Sequence, residues 1–347
     1  MTTCISHWTA LHWHLRRVCW SSVMASDGDE PRVPDVGPTA AEVADVMRAL
    51  EPYLPEVPGR APSIDVLVAS DRGRRKIAGV TSHVCSTPLP RGSIQPTGLR
   101  GYDIAVTSPE LTFIQIAATE DLRLAAYVGM ALCSSFRLDD FSTSGLARRE
   151  EPEEPLTSVK KIAAYLRRAK GLYGVDEARR ALRYVRDGAL SPPEGGIGLL
   201  AMLPCKCGGF GWKDVRLNVA LRVFDRLDSS GRSRYTTRYP DVVIVGKTAG
   251  GERRMVGIDF DPEVTHGGEA KRKSDVRRGN QISGVRRLVH FTFTEDERTS
   301  YPAWRSSMER IRRALGKRKA RRDGKADDYD NERWEAWHLL LNHPPVL

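Results

Sequence analysis

Two apolar stretches, Asp241 to Val245 and Met255 to Phe260, flank the loop Gly246-Lys-Thr-Ala-Gly-Gly-Glu252. A glycine-rich turn between two β-branched runs predicts a β-hairpin, which fixes the middle of one domain as sheet. Side chains alternate faces along a strand. Asp259 and Asp261 therefore share one face, while Val256, Ile258 and Phe260 fill the other. With the loop centred near Ala249 and Gly250, Asp241 falls opposite residues 258–259, and three carboxylates meet on one face. A helix expected from Ser191-Pro192-Pro193-Glu194 through Leu203 offers Glu194 as a fourth. Crowded carboxylates repel and raise one another's pKa unless a cation relieves them. Mg²⁺ does so with few protein carboxylates, polarises a scissile phosphate and acidifies a bound water. The pattern outlines a phosphodiesterase site with Asp241 and Asp259 on the metal. Taken singly, each aspartate reads more readily as a solvated strand-end residue; two spaced by two in an apolar strand point to a site.

The rest of the chain supplies the setting. Its 347 residues suffice for two or three domains, 40% hydrophobic content allows real cores, and the net charge of +10 favours a polyanionic partner such as DNA. Cysteines at 4, 19, 85, 133, 205 and 207 form no readable disulfide framework, and the lone Cys205-Lys206-Cys207 lacks a second ligand pair for zinc. No stretch approaches a membrane span, and the expected location is cytoplasmic. Residues 1–38 read as disordered or as an over-extended start, with Met24 a natural beginning. Thr39 and Glu42 form a capping box for a helix over 40–50, and short strands follow at 64–68, 77–84 and 104–106. Helices are expected over 109–118 and 121–134. Arg148 to Pro155 is a charged, proline-interrupted linker, and 156–188 a helical connector. Beyond it come strands at 215–223 and 288–293, a basic helix over 269–284, and terminal helices over 304–322 and 331–341.

Several motifs stand in a fixed order: Ser191-Pro-Pro-Glu194, Tyr239-Pro-Asp241, Gly257-Ile-Asp-Phe-Asp261 with His266, Ser274-Asp-Val-Arg-Arg-Gly-Asn280, and Leu288-Val-His-Phe-Thr-Phe293. Over about 190–296 this order resembles the very-short-patch-repair-endonuclease-like family. The resemblance implies a restriction-endonuclease-like, PD-(D/E)xK fold: an α/β (α+β) domain at 189–300 with a mixed sheet flanked by helices. It implies Glu194, Asp241 and Asp259 as metal or catalytic carboxylates. Asp261 takes the place of the usual lysine, and His266 lies nearby. Asp275, Arg278 and Asn280 would support the site or touch phosphate. Departures are Asp259 where Glu is usual, Pro262 where Gly or Ser is typical, and no lysine to activate water. Upstream, Arg74-Arg75, His83 to Pro90, Val106 to Phe113 and Leu156 to Lys161 resemble an abortive-infection AbiEi-type antitoxin-like region. This implies a smaller mixed α/β domain at 39–147 and a possible cognate toxin as partner.

The last segment, 301–347, is basic and then acidic. From Arg305 to Arg322 nine Lys/Arg stand against Glu309 alone, an electrostatic footprint of phosphate binding. Arg277, Arg278, Asn280, Arg312, Arg313, Lys317 and Arg318 are the expected nucleic-acid contacts, and Trp304 offers a ring to stack on a base. The expected function is Mg²⁺- or Mn²⁺-dependent DNA cleavage in bacterial defence or repair. The rivals are a DNA-binding, antitoxin-like regulator that has lost turnover and a module whose basic surface meets a protein.

Overall fold

The structure is a computed structural model. It describes residues 2–17, 32–55, 59, 61–140, 142, 145–147, 154–248, 250–261, 281–282, 284–285, 287–319, 321–322, 325–326, 329–345 and 347. Two compact units emerge: residues 1–185 with 346–347, and residues 186–345. Both are mixed α/β. Among the described residues no helix is long and apolar enough to cross a membrane.

Unit 1 is built on a five-stranded sheet. Its strands are β1 (Thr3–Ile5), β2 (Ile64–Val68), β3 (Val80–Val84), β4 (Ile94–Pro96) and β5 (Ile104–Thr107), in the order β3-β2-β1-β5-β4. The central strand is β1, antiparallel to β2 and parallel to β5. Helix α1 (His7–Arg16) follows it directly. Helix α2 (Ala40–Leu50) starts at the expected capping box, with the Glu42 backbone N–H donating to Thr39 Oγ1 at 3.3 Å. Its Val43, Val46 and Leu50 close on Ile5, Trp13, Ile64 and Val66 to form a core. Residues 2–17 correct the reading of 1–38 as lying outside the folded chain. Cys4, Ile5, Leu11, Trp13 and Leu15 are fully buried. A three-residue strand is too short to show alternation, so its neighbours decide its place. Helices α3 (Pro109–Thr119), α4 (Leu122–Leu132), α5 (Val159–Arg168) and α6 (Val175–Leu182) complete the unit. The expected connector belongs to unit 1 as far as Val185, and unit 2 begins at Arg186.

Unit 2 opens with α7 (Pro192–Met202). Strands β6 (Asp214–Leu217), β9 (Val242–Lys247), β10 (Arg253–Phe260) and β11 (Leu288–Phe293) then form a sheet, while β7 (Leu221–Leu227) and β8 (Ser233–Arg238) make a separate hairpin. The expected single strand over 215–223 is two, because Asn218 takes a left-handed φ of 48° that turns the chain. The sheet order is β11-β10-β9-β6: β9 and β10 are the antiparallel hairpin, β11 joins β10 in parallel, and β6 joins β9 antiparallel. Helix α7 lies against β6 and β9. Helices α8 (Glu295–Thr299) and α9 (Tyr301–Ala314) lie against β11 and β10 respectively. Helix α10 (Asp330–Trp337) runs on into a wider turn over His338–Asn342 that packs on α7. The expected helix over 304–322 ends at Ala314. Trp304, offered by the sequence as a stacking ring, is wholly buried against Phe210 and Tyr301, so it serves the core. The expected helix over 269–284 falls mostly outside the described residues.

Candidate active site

The hairpin register decides what meets at the end of the sheet. Ile258 pairs with Val242, so Asp259 and Asp241 are the next pair beyond the last ladder partners. Directly opposed residues of an antiparallel pair share a face. The two aspartates bracket one another's backbone: the Asp241 N–H donates to Asp259 Oδ1 at 3.3 Å, and the Phe260 N–H donates to Asp241 Oδ2 at 2.7 Å. Asp259 is buried.

Two further groups reach this end. His290 sits on β11 across from Gly257, and Asp259 across from Thr292, so His290 and Asp259 share a face one pair apart. Its Nε2 lies 3.1 Å from Asp259 Oδ2, with little of either side chain exposed. Among the described residues that nitrogen has no aligned hydrogen bond. Glu194, in the first turn of α7, is also buried. Three donors hold it: the Leu190 N–H at 2.8 Å and Asn218 Nδ2 at 2.7 Å on Oε2, and Ser191 Oγ at 2.9 Å on Oε1. Burial pushes its pKa up; these hydrogen bonds oppose the rise, and the nearby charge of Asp259 adds to it. Asn218 is the hinge of the arrangement. Its side chain also donates to Gly188 O at 2.9 Å, and its backbone N–H donates to Asp241 O at 3.1 Å. One residue thus ties α7 to the start of β9.

Of the expected carboxylates, Glu194, Asp241 and Asp259 gather at this end of the sheet. Asp261 follows the last residue of β10, its N–H donating to Phe293 O at 2.8 Å. His266, Asp275, Arg277, Arg278 and Asn280 lie outside the described residues. Among the tail cations, Arg312 and Arg313 pair with Glu309 at 2.7 and 3.0 Å, while Lys317 and Arg318 line a cleft at the other end of β9. Sequence reasoning missed two contributors. Asn218 was hidden inside an apparent strand. His290 stood within a quoted motif, and its period-two relation to Thr292 across from Asp259 is the signal that marks it.

A hard divalent cation fits this donor set in part. Asp241 and Asp259 are the oxygen ligands of the kind Mg²⁺ takes, and it keeps several waters. Among the described residues, however, no group of three His, Cys, Asp or Glu side chains is arranged to hold a metal ion. Glu194 spends both oxygens on its own loop and Asn218, so its place is beside the pair.

Compared with family models, curated proteins and solved structures, the chain gives no match.

Proposed function

We propose that unit 2 is a metal-dependent phosphodiesterase domain of the restriction-endonuclease-like kind, acting on DNA. The observation that carries the reading is the opposed pair Asp241 and Asp259 at one end of a buried hairpin, with Glu194 and His290 packed beside it. The element order supports it too. A helix bearing a glutamate, followed by a mixed sheet with helices against it, fits the helix-flanked mixed sheet that the resemblance implies. When bound, Mg²⁺ or Mn²⁺ would polarise the scissile phosphate and lower the pKa of a water. Asp241 and Asp259 would hold it. His290 stands beside the Asp259 carboxylate on the neighbouring strand, and Asn218 keeps Glu194 against the pair. Burial pushes the Glu194 pKa up against the pull of its three hydrogen bonds, and the residue stands beside the pair as a further carboxylate.

A second reading has its own support. Asp261 stands where a water-activating lysine belongs, and each aspartate already accepts a backbone N–H across the hairpin. These features fit a domain that binds DNA and regulates without turnover. Cleavage of supercoiled plasmid and short duplex DNA with Mg²⁺ or Mn²⁺ separates the two. Metal-dependent cutting by the wild type, reduced at least about a hundredfold in Asp241→Ala and Asp259→Ala, is expected for the enzyme. A folded wild type that binds DNA with a steep salt dependence and never cuts would establish the regulator instead.

A further inference from the structure

At the far end of β9 from Asp241, about 20 Å along the strand, unit 2 carries a cleft of about 680 Å³. Lys213 and Asp214 at the start of β6, with Val245 to Lys247 of β9, make one wall; Phe210 to Trp212 and the segment after α9 make the others. Seven Lys/Arg side chains line it against two carboxylates.

The local fold builds this concentration. Helix α9 ends in a reversal in which the Gly316 N–H donates to Arg313 O at 2.9 Å and the Lys317 N–H to Arg312 O at 3.0 Å. Gly316 has φ +65°, and a Cβ there would meet Thr248 Cγ2 at 2.9 Å. The reversal turns Lys317, Arg318 and Lys319 back over the end of β9. Gly246 lets them close in, since a Cβ on it would stand 3.3 Å from Lys317 Cε. Both carboxylates are already engaged by guanidinium groups. Asp214 takes Arg216 at 2.7 and 3.1 Å. Glu309 takes Arg312 and Arg313, chiefly Arg312, which draws its pKa down to about 2. The lysines are therefore not there to neutralise these acids. Among the described residues Lys213, Lys247, Lys317 and Arg318 have no acidic partner in ion-pair contact. Cations gathered in a concave site raise a positive potential that concentrates anions.

We propose that this cleft binds a ligand bearing several adjacent phosphates. Its volume lies within the ~300–1,000 Å³ typical of small-molecule sites. Lysine ammonium groups serve phosphates as point charges. The partly exposed ring of Phe210, backed by buried Trp212 and Leu315, suits a sugar or base next to them. The phosphates are those of a free nucleotide or of a nucleic-acid strand, and the cleft holds them without any role for the aspartates.

Calorimetric titration of the full chain with inorganic triphosphate, ATP and a short single-stranded oligonucleotide, in chelator and at low and moderate salt, tests this. Saturable, salt-sensitive binding is expected, weakened at least about tenfold when Lys317, Arg318 and Lys319 are all replaced by alanine. The charge-matched set Lys160→Ala, Lys161→Ala and Arg167→Ala, exposed on α5 of unit 1, is expected to bind as the wild type does. Lys213→Glu with Lys247→Glu attacks the opposite wall and stands in if the triple variant misfolds. Free nucleotides as the source are indicated by ATP binding that the oligonucleotide does not displace; a strand is indicated by an oligonucleotide that displaces triphosphate. Binding that survives in Asp259→Ala keeps the cleft apart from the cleavage reading. No binding of any of the three probes, or equal loss in both alanine sets, would overturn the proposal.

Discussion

Two histidines of α1 show how much a single buried ring can decide. His14 is fully buried, and its Nε2–H donates to Thr107 O at 2.8 Å. Burial lowers its pKa to about 4; the Thr107 carbonyl opposes the shift, and the charges of Arg17 and Arg137 add to it. His7 falls to about 3, first through burial and then through His83, which stacks on it with centroids 3.5 Å apart; Asp65 opposes the fall. Both rings are neutral in the folded chain, whereas unfolded histidine takes a proton near pH 6.5. Between pH 6.5 and about 4 the unfolded state therefore binds more protons, and stability rises with pH in that window. Unit 1 is expected to lose stability as pH falls below 6.5, by about 1.4 kcal/mol per pH unit for each ring. The unit 1 urea midpoint measured from neutral pH downwards checks this. A flat profile would refute it, and His14→Gln is expected to halve the slope. The same scale explains what stayed hidden at the site. Asp241 and Asp259 could be brought opposite one another from the sequence because the glycine-rich loop fixes the hairpin register. Asn218 and His290 act through a left-handed turn and a cross-strand neighbour, and neither leaves a periodic mark in the chain.

Elements whose ends carry capping chemistry were readable almost to the residue. Thr39 with Glu42 opens α2, and Ser108 with Pro109 opens α3, each at its expected place. The strands at 64–68 and 288–293 matched because apolar β-branched runs this short admit few alternatives. The misread elements lacked such local signals or had them overridden. Asn218 broke one expected strand, and β8 (SRYTTR) is too polar and exposed to announce itself. The basic helix α9 stops at Ala314 despite helix-forming residues beyond it, because Gly316 reverses the chain. Gly316→Ala forces a left-handed β-carbon into Thr248. It is expected to cost about 1–2 kcal/mol in thermal stability and to weaken triphosphate binding, since the turn aims Lys317. Unchanged melting and unchanged binding together would show that the reversal is not what builds the cleft.

At the scale of the whole chain the two units carry separate cores, and residues 2–17 belong to the heart of one of them. Removing residues 1–23, the segment that composition sets apart, deletes β1 and α1. The sheet β3-β2-β1-β5-β4 is then cut at its centre, leaving β2 and β5 with unpaired edges. Ile5, Leu11, Trp13 and Leu15, all fully buried, are lost with it. Burial of such side chains contributes roughly 1.5–3 kcal/mol each. Together they rival the ~5–15 kcal/mol that holds a typical domain folded. Unit 2 keeps every strand of its own four-stranded sheet and the side chains that fill it. A chain starting at Met24 is therefore expected to have unit 1 unfolded and unit 2 intact. Limited proteolysis should leave a resistant fragment beginning near Arg186, whereas the full chain should resist cleavage through unit 1 as well. A truncated chain that protects unit 1 as the full chain does would show that β2 and β5 close the sheet without β1. The assignment of residues 2–17 to the core would then fall.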